Sequence, residues 1–389
     1  MNAKEARTYW GVVILLAVLL GVLLQCAEAH AEGYPRIGAY VGVRSGGQPL
    51  VTASGVIDSA VCRDFARFPE VALDHNALHI GAAIIPTLLH FNPEIRIDGY
   101  QHCASWWLAP DFVVQSSDKT FNAYWHLGLQ ATHGFIAGAP REYQVNLAQR
   151  ATVDTMGSLM IWSLERLRIS GIFWDYCSPA ASWVPVGNTF TDQERIRNVA
   201  HMSQRIRDAM PFGFKVYGNG TGAESCGLDG TLVEGFPGSI GPFSKAIAQK
   251  DGDWLKSEGS RTDYRAQRFV LGTACLTGAR LTYGQQVVDA GGQGWPGQWW
   301  FDEWSVTPDG KPDPTGQHVG WLGEALGPFT KLASGLYIRF FEHGADLVNP
   351  TGNPITQDMI WPRYHRIGQL DPVLKVVVPA TDAVLLWGD

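Results

Sequence analysis

The sequence predicts an α/β fold, a (β/α)8 barrel of the TIM type with a small antiparallel β domain at its C-terminal end. Two observations point to the barrel. Short apolar runs alternate with segments of helical period along most of the 389 residues, which means parallel strands with helices outside. No G-x-G-x-x-G fingerprint joins a first strand to its helix, so an open dinucleotide-binding sheet has no support. A third observation gives the appendage: past residue 335 alternating runs follow one another with no helix between them.

"RIGAYVGV" (36–43) reads as strand one and "EVALD" (70–74) as strand two. "AAIIPTLLHF" (82–91) reads as a helix with Pro86 in its first turns, and "EIRIDGY" (94–100) as strand three. Residues 152–168 place Val153, Met156, Met160, Leu164 and Leu167 at a helical period. "GIFWD" (171–175) is strand four. "TDQE" at Thr191–Glu194 is a capping box; it opens a helix with Ile196, Val199, Met202 and Ile206 on one face, stopped by Pro211. "FKVYGNG" (214–220) and "TLVEGF" (231–236) are strands five and six. A helix over 262–277 leads to "ARLTYG" (279–284), the seventh strand that can be pointed to. The eighth is expected between Trp299 and Leu347.

"LYIRFFEHGADLVNPTG" (336–352) reads as a hairpin turning at His343-Gly344, and "VLKVVVPATDAVLLWGD" supplies two more alternating runs. Leu336, Tyr337, Ile338 and Leu347 are expected to pack against the barrel. Domain boundaries follow: a leader over 1–31, the barrel over 32–335 and the β domain over 336–389.

The leader has a secretory layout. Lys4 and Arg7 precede the apolar run Trp10–Leu24, and Ala29-His30-Ala31 offers an A-x-A cleavage site, so the mature chain would begin at Glu32, secreted or in the cell envelope. A signal anchor is the alternative, because the apolar run is only slightly short of a membrane span. Once the leader is cleaved no membrane span is expected. Five cysteines follow it (Cys62, Cys103, Cys177, Cys226 and Cys275), at spacings that match no zinc pattern. One or two bridges have room in a secreted chain, but the residues do not say which. A net charge of −7 leaves no electrostatic footprint for nucleic acid.

The polar residues of the strand ends carry the chemistry. In such a barrel the C-terminal ends of the strands face the active site. Asp74 ends strand two, Asp98 strand three, beside Tyr100, and Asp175 strand four. Tyr217 and Asn219 lie on strand five, Glu234 follows strand six, and "WWFDEW" sets Asp302 and Glu303 among Trp299, Trp300 and Trp304. Paired carboxyls with aromatic faces are the inventory of glycoside hydrolysis: one acts as nucleophile or base, the other protonates the leaving oxygen. Asp175, followed by polar residues, is the expected ionised group. Glu234, between Leu232-Val233 and Gly235-Phe236, has apolar sequence neighbours that would raise its pKa and suit a proton donor. The substrate would be a carbohydrate, bound through Asp98, Tyr100, Tyr217, Asn219, Trp299, Trp300, Asp302 and Glu303. A protein that kept the groove without catalysis, binding carbohydrate in the envelope, is the alternative.

"YQVNLAQ", "GIFWDYC", "LVEGF", "YRAQRFVLGTACLTGARLTYG", "WWFDEW", "LGEALGP" and "LYIRFFEHGADLVNPTG" occur in this order. The chain resembles the glycosyl-hydrolase-like family 15, which is distinct from the glucoamylases, over most of residues 34–389. The resemblance implies a barrel with a C-terminal β domain and Asp175 with Glu234 as the catalytic pair. It departs from the family pattern at Tyr176, where a second acid is usual, and at Phe301 and Trp304. By analogy of fold, a nucleophile on strand four favours retention of anomeric configuration.

Other signals carry less. His75 and His79, four apart beside Asp74, lack an H-E-x-x-H context and a third ligand, so no metal is expected. His102, just past strand three, is as well explained by packing as by a ligand. No G-x-S-x-G elbow, Walker loop or other cofactor motif is present, and no cofactor is expected.

Overall fold

The structure is a computed structural model, and it describes residues 33–41, 50, 56–73, 84–102, 105–107, 142–144, 150–165, 167–175, 192–219, 226–239, 241–288, 294–359 and 363–388. The leader, Asp74, His75, His79, Cys103, Tyr176 and Cys177 lie outside the described residues, as do the side chains of His102 and Asp175.

In chain order the elements are β1 (Gly38–Val41), α1 (Ser59–Phe65), β2 (Glu70–Leu73), α2 (Ile84–Phe91), β3 (Arg96–His102), the antiparallel pair β4 (Ser105–Trp107) and β5 (Glu142–Gln144), α3 (Arg150–Leu164), β6 (Gly171–Asp175) and α4 (Asp192–Ala209). There follow β7 (Lys215–Asn219), β8 (Gly230–Val233), α5 (Phe243–Ala246), β9 (Trp254–Glu258), α6 (Tyr264–Thr277), β10 (Arg280–Val288) and β11 (Gly294–Gln298). Strands β1-β2-β3-β6-β7-β8-β9-β10 pair in parallel. A parallel bridge between Ile37 and Leu281 brings the last strand back to the first, so eight parallel strands form a near-closed barrel. Beyond it β10 continues into an antiparallel ladder with β11.

The eighth strand is β9, "WLKSE", and not a segment between Trp299 and Leu347. Its alternation is real but inverted in polarity: Leu255 and Ser257 are buried on one side, while Lys256 and Glu258 stand on the other. A strand with charges at every second position reads as a loop until its neighbours are known.

Strand alternation sorts the core into two shells. Val71, Leu73, Ile97, Ile172, Trp174, Val216, Val233, Leu255 and Leu281 point outward into the layer under the helices. Ala72, Tyr100, Phe173, Tyr217, Leu232 and Trp254 fill the lumen. The helices contribute the faces that their periods mark: Val153, Met160 and Leu164 from α3, and Val199, Met202 and Ile206 from α4, are buried in the outer layer. Local signals set their ends. Asp58 accepts from the N–H groups of Ala60 and Val61 at 3.0 and 3.1 Å to start α1. Asp263 caps α6, and Gly278 at φ 86° closes it in the left-handed region where a side chain is disfavoured.

The C-terminal sheet takes strands from β12 (Thr330–Lys331), β13 (Tyr337–Phe341), β14 (Gly344–Asn349), β16 (Tyr364–Arg366) and β18 (Asp382–Gly388), in the order β12-β13-β14-β18-β16. It thus begins ahead of the break expected at residue 335. β15 (Ile355–Asp358) and β17 (Lys375–Val378) form a separate antiparallel pair. The hairpin turns at Glu342-His343, since Phe341 already pairs with Gly344.

The expected packing of this hairpin against the barrel holds for Tyr337, which meets Phe243 of α5 edge-on at 5.3 Å, and is corrected for the other three residues. Leu336, Ile338 and Leu347 join Val376, Val378 and Leu386 in a core of the domain's own, between the sheet and the β15–β17 pair. The opposite face, with Phe341, Val348, Ala383 and Leu385, meets the barrel through α6. Both faces are covered, so apolar residues at successive positions did not identify the barrel side. Polar anchors pin this junction. Arg339 donates at 2.9 Å to the carbonyls of Cys275 and Leu276 at the end of α6. Arg268 makes a two-point contact with Asp382, Nε to Oδ1 at 3.1 Å and Nη2 to Oδ2 at 2.7 Å. Cys62, Cys226 and Cys275 are buried.

Candidate active site

The lumen is built in levels from the N-terminal to the C-terminal ends of the strands. At the bottom lies an ionic level. Glu70, which opens β2, meets Arg280 at 2.9 Å and Arg96 at 3.3 Å. Asp98 belongs to this level too. Strand β3 runs on to His102, so Asp98 pairs with the first residue of β6, Gly171, and is fully buried. It does not stand at a strand end, as the sequence suggested. Burial first, and then the Glu70 carboxyl beside it, push the Asp98 carboxyl well above its usual range, against the pull of Arg96 and Arg280. The glycine that opens "GIFWD" follows from this packing: a Cβ on Gly171 would sit 2.5 Å from Asp98 Oδ1.

Above it comes an aromatic floor. Tyr100 stacks on Phe173 at 5.9 Å between ring centres, and Trp254 meets Tyr217 and Phe173 edge-on at 6.2 and 6.4 Å. Tyr100 and Tyr217, expected as ligand contacts, are buried parts of this floor. Burial, reinforced by Glu70 and Asp98 below, raises the Tyr217 hydroxyl so far that it stays protonated.

Polar groups return at the C-terminal ends. Asn219 ends β7, Glu234 follows β8, and Lys256 and Glu258 project from β9 two residues apart. Asn219 Nδ2 donates to Glu234 Oε2 at 2.9 Å, and Lys256 Nζ donates to Glu234 Oε1 at 2.9 Å. The same ammonium lies 3.8 Å from Glu258 Oε1 and 5.5 Å from the centre of the Tyr40 ring. Tyr40 is itself edge-on to Tyr100 at 5.2 Å. The Glu234 side chain keeps 40% of its surface open. Burial alone would raise its pKa, but the Lys256 ammonium, its hydrogen bond and that of Asn219 outweigh burial and hold the carboxyl below the usual range. This reverses the expectation of a raised proton donor.

Asp175 closes β6 opposite His102, two positions past Phe173 of the floor. The backbone therefore carries it to the same end of the barrel as Asn219 and Glu234.

The "WWFDEW" segment is elsewhere. Asp302–Trp304 is a single 3-10 turn, which fans successive side chains in different directions. Trp304 is fully buried and meets Phe68, Trp300 and Phe301. Trp300 is half-buried, with the Arg67 guanidinium 4.9 Å over its ring. Trp299 is half-buried under Arg261 at 5.0 Å. Asp302 is exposed, and Glu303 is half-buried near Arg268 and Asp382 at the junction with the C-terminal sheet. Burial raises the Glu303 pKa, with Asp302 and Asp382 adding to it and Arg268 opposing. None of the groups that hydrogen-bond or pair with Glu234 comes from this segment. Sequence reasoning missed Lys256, Glu258 and Tyr40. The period-two placement of Trp254, Lys256 and Glu258 was the signal that could have found the first two. Among the described residues no three His, Cys, Asp or Glu side chains are grouped to hold a metal ion, and no helix is long and apolar enough to cross a membrane.

No protein-family model matches the chain, and no curated protein matches it in sequence. Solved structures do match it in fold. Amy13B of Eubacterium rectale superposes with a TM-score of 0.54 at 11% identity, over 92% of this chain and 96% of that one. The α-amylase of Geobacillus thermoleovorans gives 0.51 at 11% identity, over 90% and 98%. The GH36 α-galactosidase AgaA of Geobacillus stearothermophilus gives 0.50 at 10% identity, over 92% of this chain and 56% of that one. At these identities the likeness is one of fold, and the chain shares its fold with TIM-barrel glycoside hydrolases.

Proposed function

We propose that the protein is a glycoside hydrolase that cleaves an oligosaccharide or polysaccharide with Glu234 and Asp175 as its two carboxyls. The observation that carries this reading is the setting of Glu234: a carboxylate at the C-terminal end of a barrel strand, oriented at both oxygens by Asn219 and Lys256 and open to solvent on one side. The fold shared with glycoside hydrolases supports it, and so does the resemblance to the glycosyl-hydrolase-like family 15. The leader-like segment at residues 1–31 supports action outside the cytoplasm.

The setting of Glu234 supports one division of roles. Held ionised, it acts as nucleophile or base, and Asp175 acts as the acid. In the retaining form Glu234 bonds to the anomeric carbon while the glycosidic C–O bond breaks, and Asp175 gives its proton to the leaving oxygen. Water then attacks the same carbon, returns a proton to Asp175 and frees Glu234. A carboxyl separation of about 5–5.5 Å corresponds to retention and about 6.5–9.5 Å to inversion.

The test is a screen of the purified mature protein against glycan arrays, read by mass spectrometry, with Glu234→Gln and Asp175→Asn alongside. Loss of turnover in Glu234→Gln, and partial recovery of Asp175→Asn on substrates whose leaving group needs no proton, supports the reading. Glycan binding without turnover in the wild type makes the protein a carbohydrate binder instead.

A further inference from the structure

Strand β9 brings two charges of opposite sign into the lumen mouth at Lys256 and Glu258; the hydrolase reading so far uses Lys256 only as a contact of Glu234 and gives Glu258 no part. Lys256 is 20% exposed, held between Glu234 just past β8 and Glu258 on its own strand, with the Tyr40 ring of β1 beside it. It is bonded closely to the first carboxylate, at 2.9 Å, and loosely to the second, at 3.8 Å. Asn219 of β7 holds the other oxygen of Glu234, and Lys245 of α5 adds a more distant positive charge.

We propose that Lys256 is a positioning residue for Glu234: its ammonium fixes one carboxylate oxygen while Asn219 fixes the other, and Glu258 stands ready to take over the ammonium when Glu234 gives up its charge. The inference rests on the hydrolase reading and deepens it. A carboxylate free to rotate spends little time in line with a reacting carbon, and one clamped at both oxygens has a single orientation. The clamp must also release. When Glu234 forms its bond to the sugar its charge is consumed, and the loss of the nearer carboxylate partner of an ammonium in a half-buried site would oppose that step. Glu258 already lies within reach of Lys256, so a small swing of the lysine tip re-pairs it without crossing the lumen. No proton moves in this exchange, and the acid remains a separate group.

The first readout needs no substrate; the second uses a glycan that the screen above shows to be cleaved. Protein labelled with 13C at the glutamate carboxyl is titrated by NMR, with Glu234 assigned by the signal that Glu234→Gln removes. In Lys256→Met and Lys256→Gln the proton affinity of Glu234 is expected to rise at least about tenfold. In Lys256→Arg it stays close to wild type, and in Lys245→Met it moves less than in Lys256→Met. In Glu258→Gln the Glu234 resonance keeps its low midpoint, since the clamp is intact, while kcat falls and KM is unchanged. A midpoint of Glu234 that does not move in folded Lys256→Met and Lys256→Gln overturns the inference. So does an unchanged kcat in Glu258→Gln. The two readings fail separately. If the midpoint moves but Glu234→Gln hydrolyses glycans at full rate, the hydrolase falls and the clamp stands. If Glu234→Gln is inactive and the midpoint is fixed, the hydrolase stands and the clamp falls.

Discussion

Lys256 Nζ and Glu234 Oε1 meet at 2.9 Å between two adjacent barrel strands, and against the effect of burial this ammonium is the strongest of the groups that hold the candidate catalytic carboxyl below its usual range. Val233 pairs with Leu255 in the parallel ladder, so the next residues along, Glu234 and Lys256, come level. A carboxylate and an ammonium thus face each other at the lumen mouth, and the carboxyl is ionised below the pH at which a free glutamate would be.

Glu234→Gln should lower glycan turnover about 10²–10⁴-fold and leave the melting temperature close to wild type, because the side chain is 40% exposed. The pH profile follows from the direction of its shift. The folded midpoint is below the usual one, so the charged form persists as pH falls through about 4.3, the ordinary glutamate value. Activity limited by Glu234 should therefore decline only at still lower pH. An acidic limb that lies well above the ordinary value would show that another group controls it.

Arg280→Met should destabilise the fold by about 3–5 kcal/mol, read by urea denaturation. The guanidinium is the nearer of the two cations paired with the fully buried Glu70, and its loss leaves carboxyls at the barrel bottom with Arg96 alone. Ligand binding by the folded fraction should not change, since the aromatic floor separates this level from the mouth.

Trp304→Ala should cost about 3–5 kcal/mol through the cavity it leaves. Trp304 has no exposed surface and packs on Phe68, Trp300 and Phe301. Affinity for carbohydrate, measured per folded molecule by calorimetry, should match the wild type. A variant that folds normally and loses affinity would return this tryptophan to the groove.

Asp346→Asn should flatten the dependence of stability on pH. Asp346 is fully buried opposite Arg339, and burial raises its carboxyl well above the usual range, with Arg339 only partly opposing. A folded pKa above the unfolded one gives stability that is full below the unfolded value, about 4, and is lost as pH rises through the folded value. The wild type should therefore lose melting temperature relative to Asp346→Asn as pH rises, and the two should converge in acid. Parallel curves from acid to mild alkali would mean that Asp346 does not titrate with folding.

Sequence patterning located seven of the eight barrel strands, the helix over 152–168, the helix opened by Thr191–Glu194 and stopped by Pro211, the helix over 262–277, and the hairpin over 336–352, because each depends on side chains a few positions apart on one element. It also put Asp175, Asn219 and Glu234 at the ends of their strands, where the apolar runs stop. Other features were settled only when distant segments met. Strand β9 escaped notice because Lys256 and Glu258 face the lumen, and charge at alternate positions looks like loop until the lumen mouth is known to be polar. Asp98 was placed near the end of a strand expected to stop at Tyr100, yet the ladder with β6 carries the strand to His102 and leaves Asp98 in the ionic bottom. "WWFDEW" suggested a groove by composition, but a single 3-10 turn sends Trp304 into the core. Glu234 shows the physical reason most plainly. Its sequence neighbours Val233 and Phe236 are apolar, but both are buried in the outer layer and do not face the carboxyl. The groups that do face it, Asn219 and Lys256, come from the strands on either side. Burial is a local property that a sequence can suggest, whereas the sign of a pKa shift belongs to whichever charges the barrel brings within hydrogen-bonding distance.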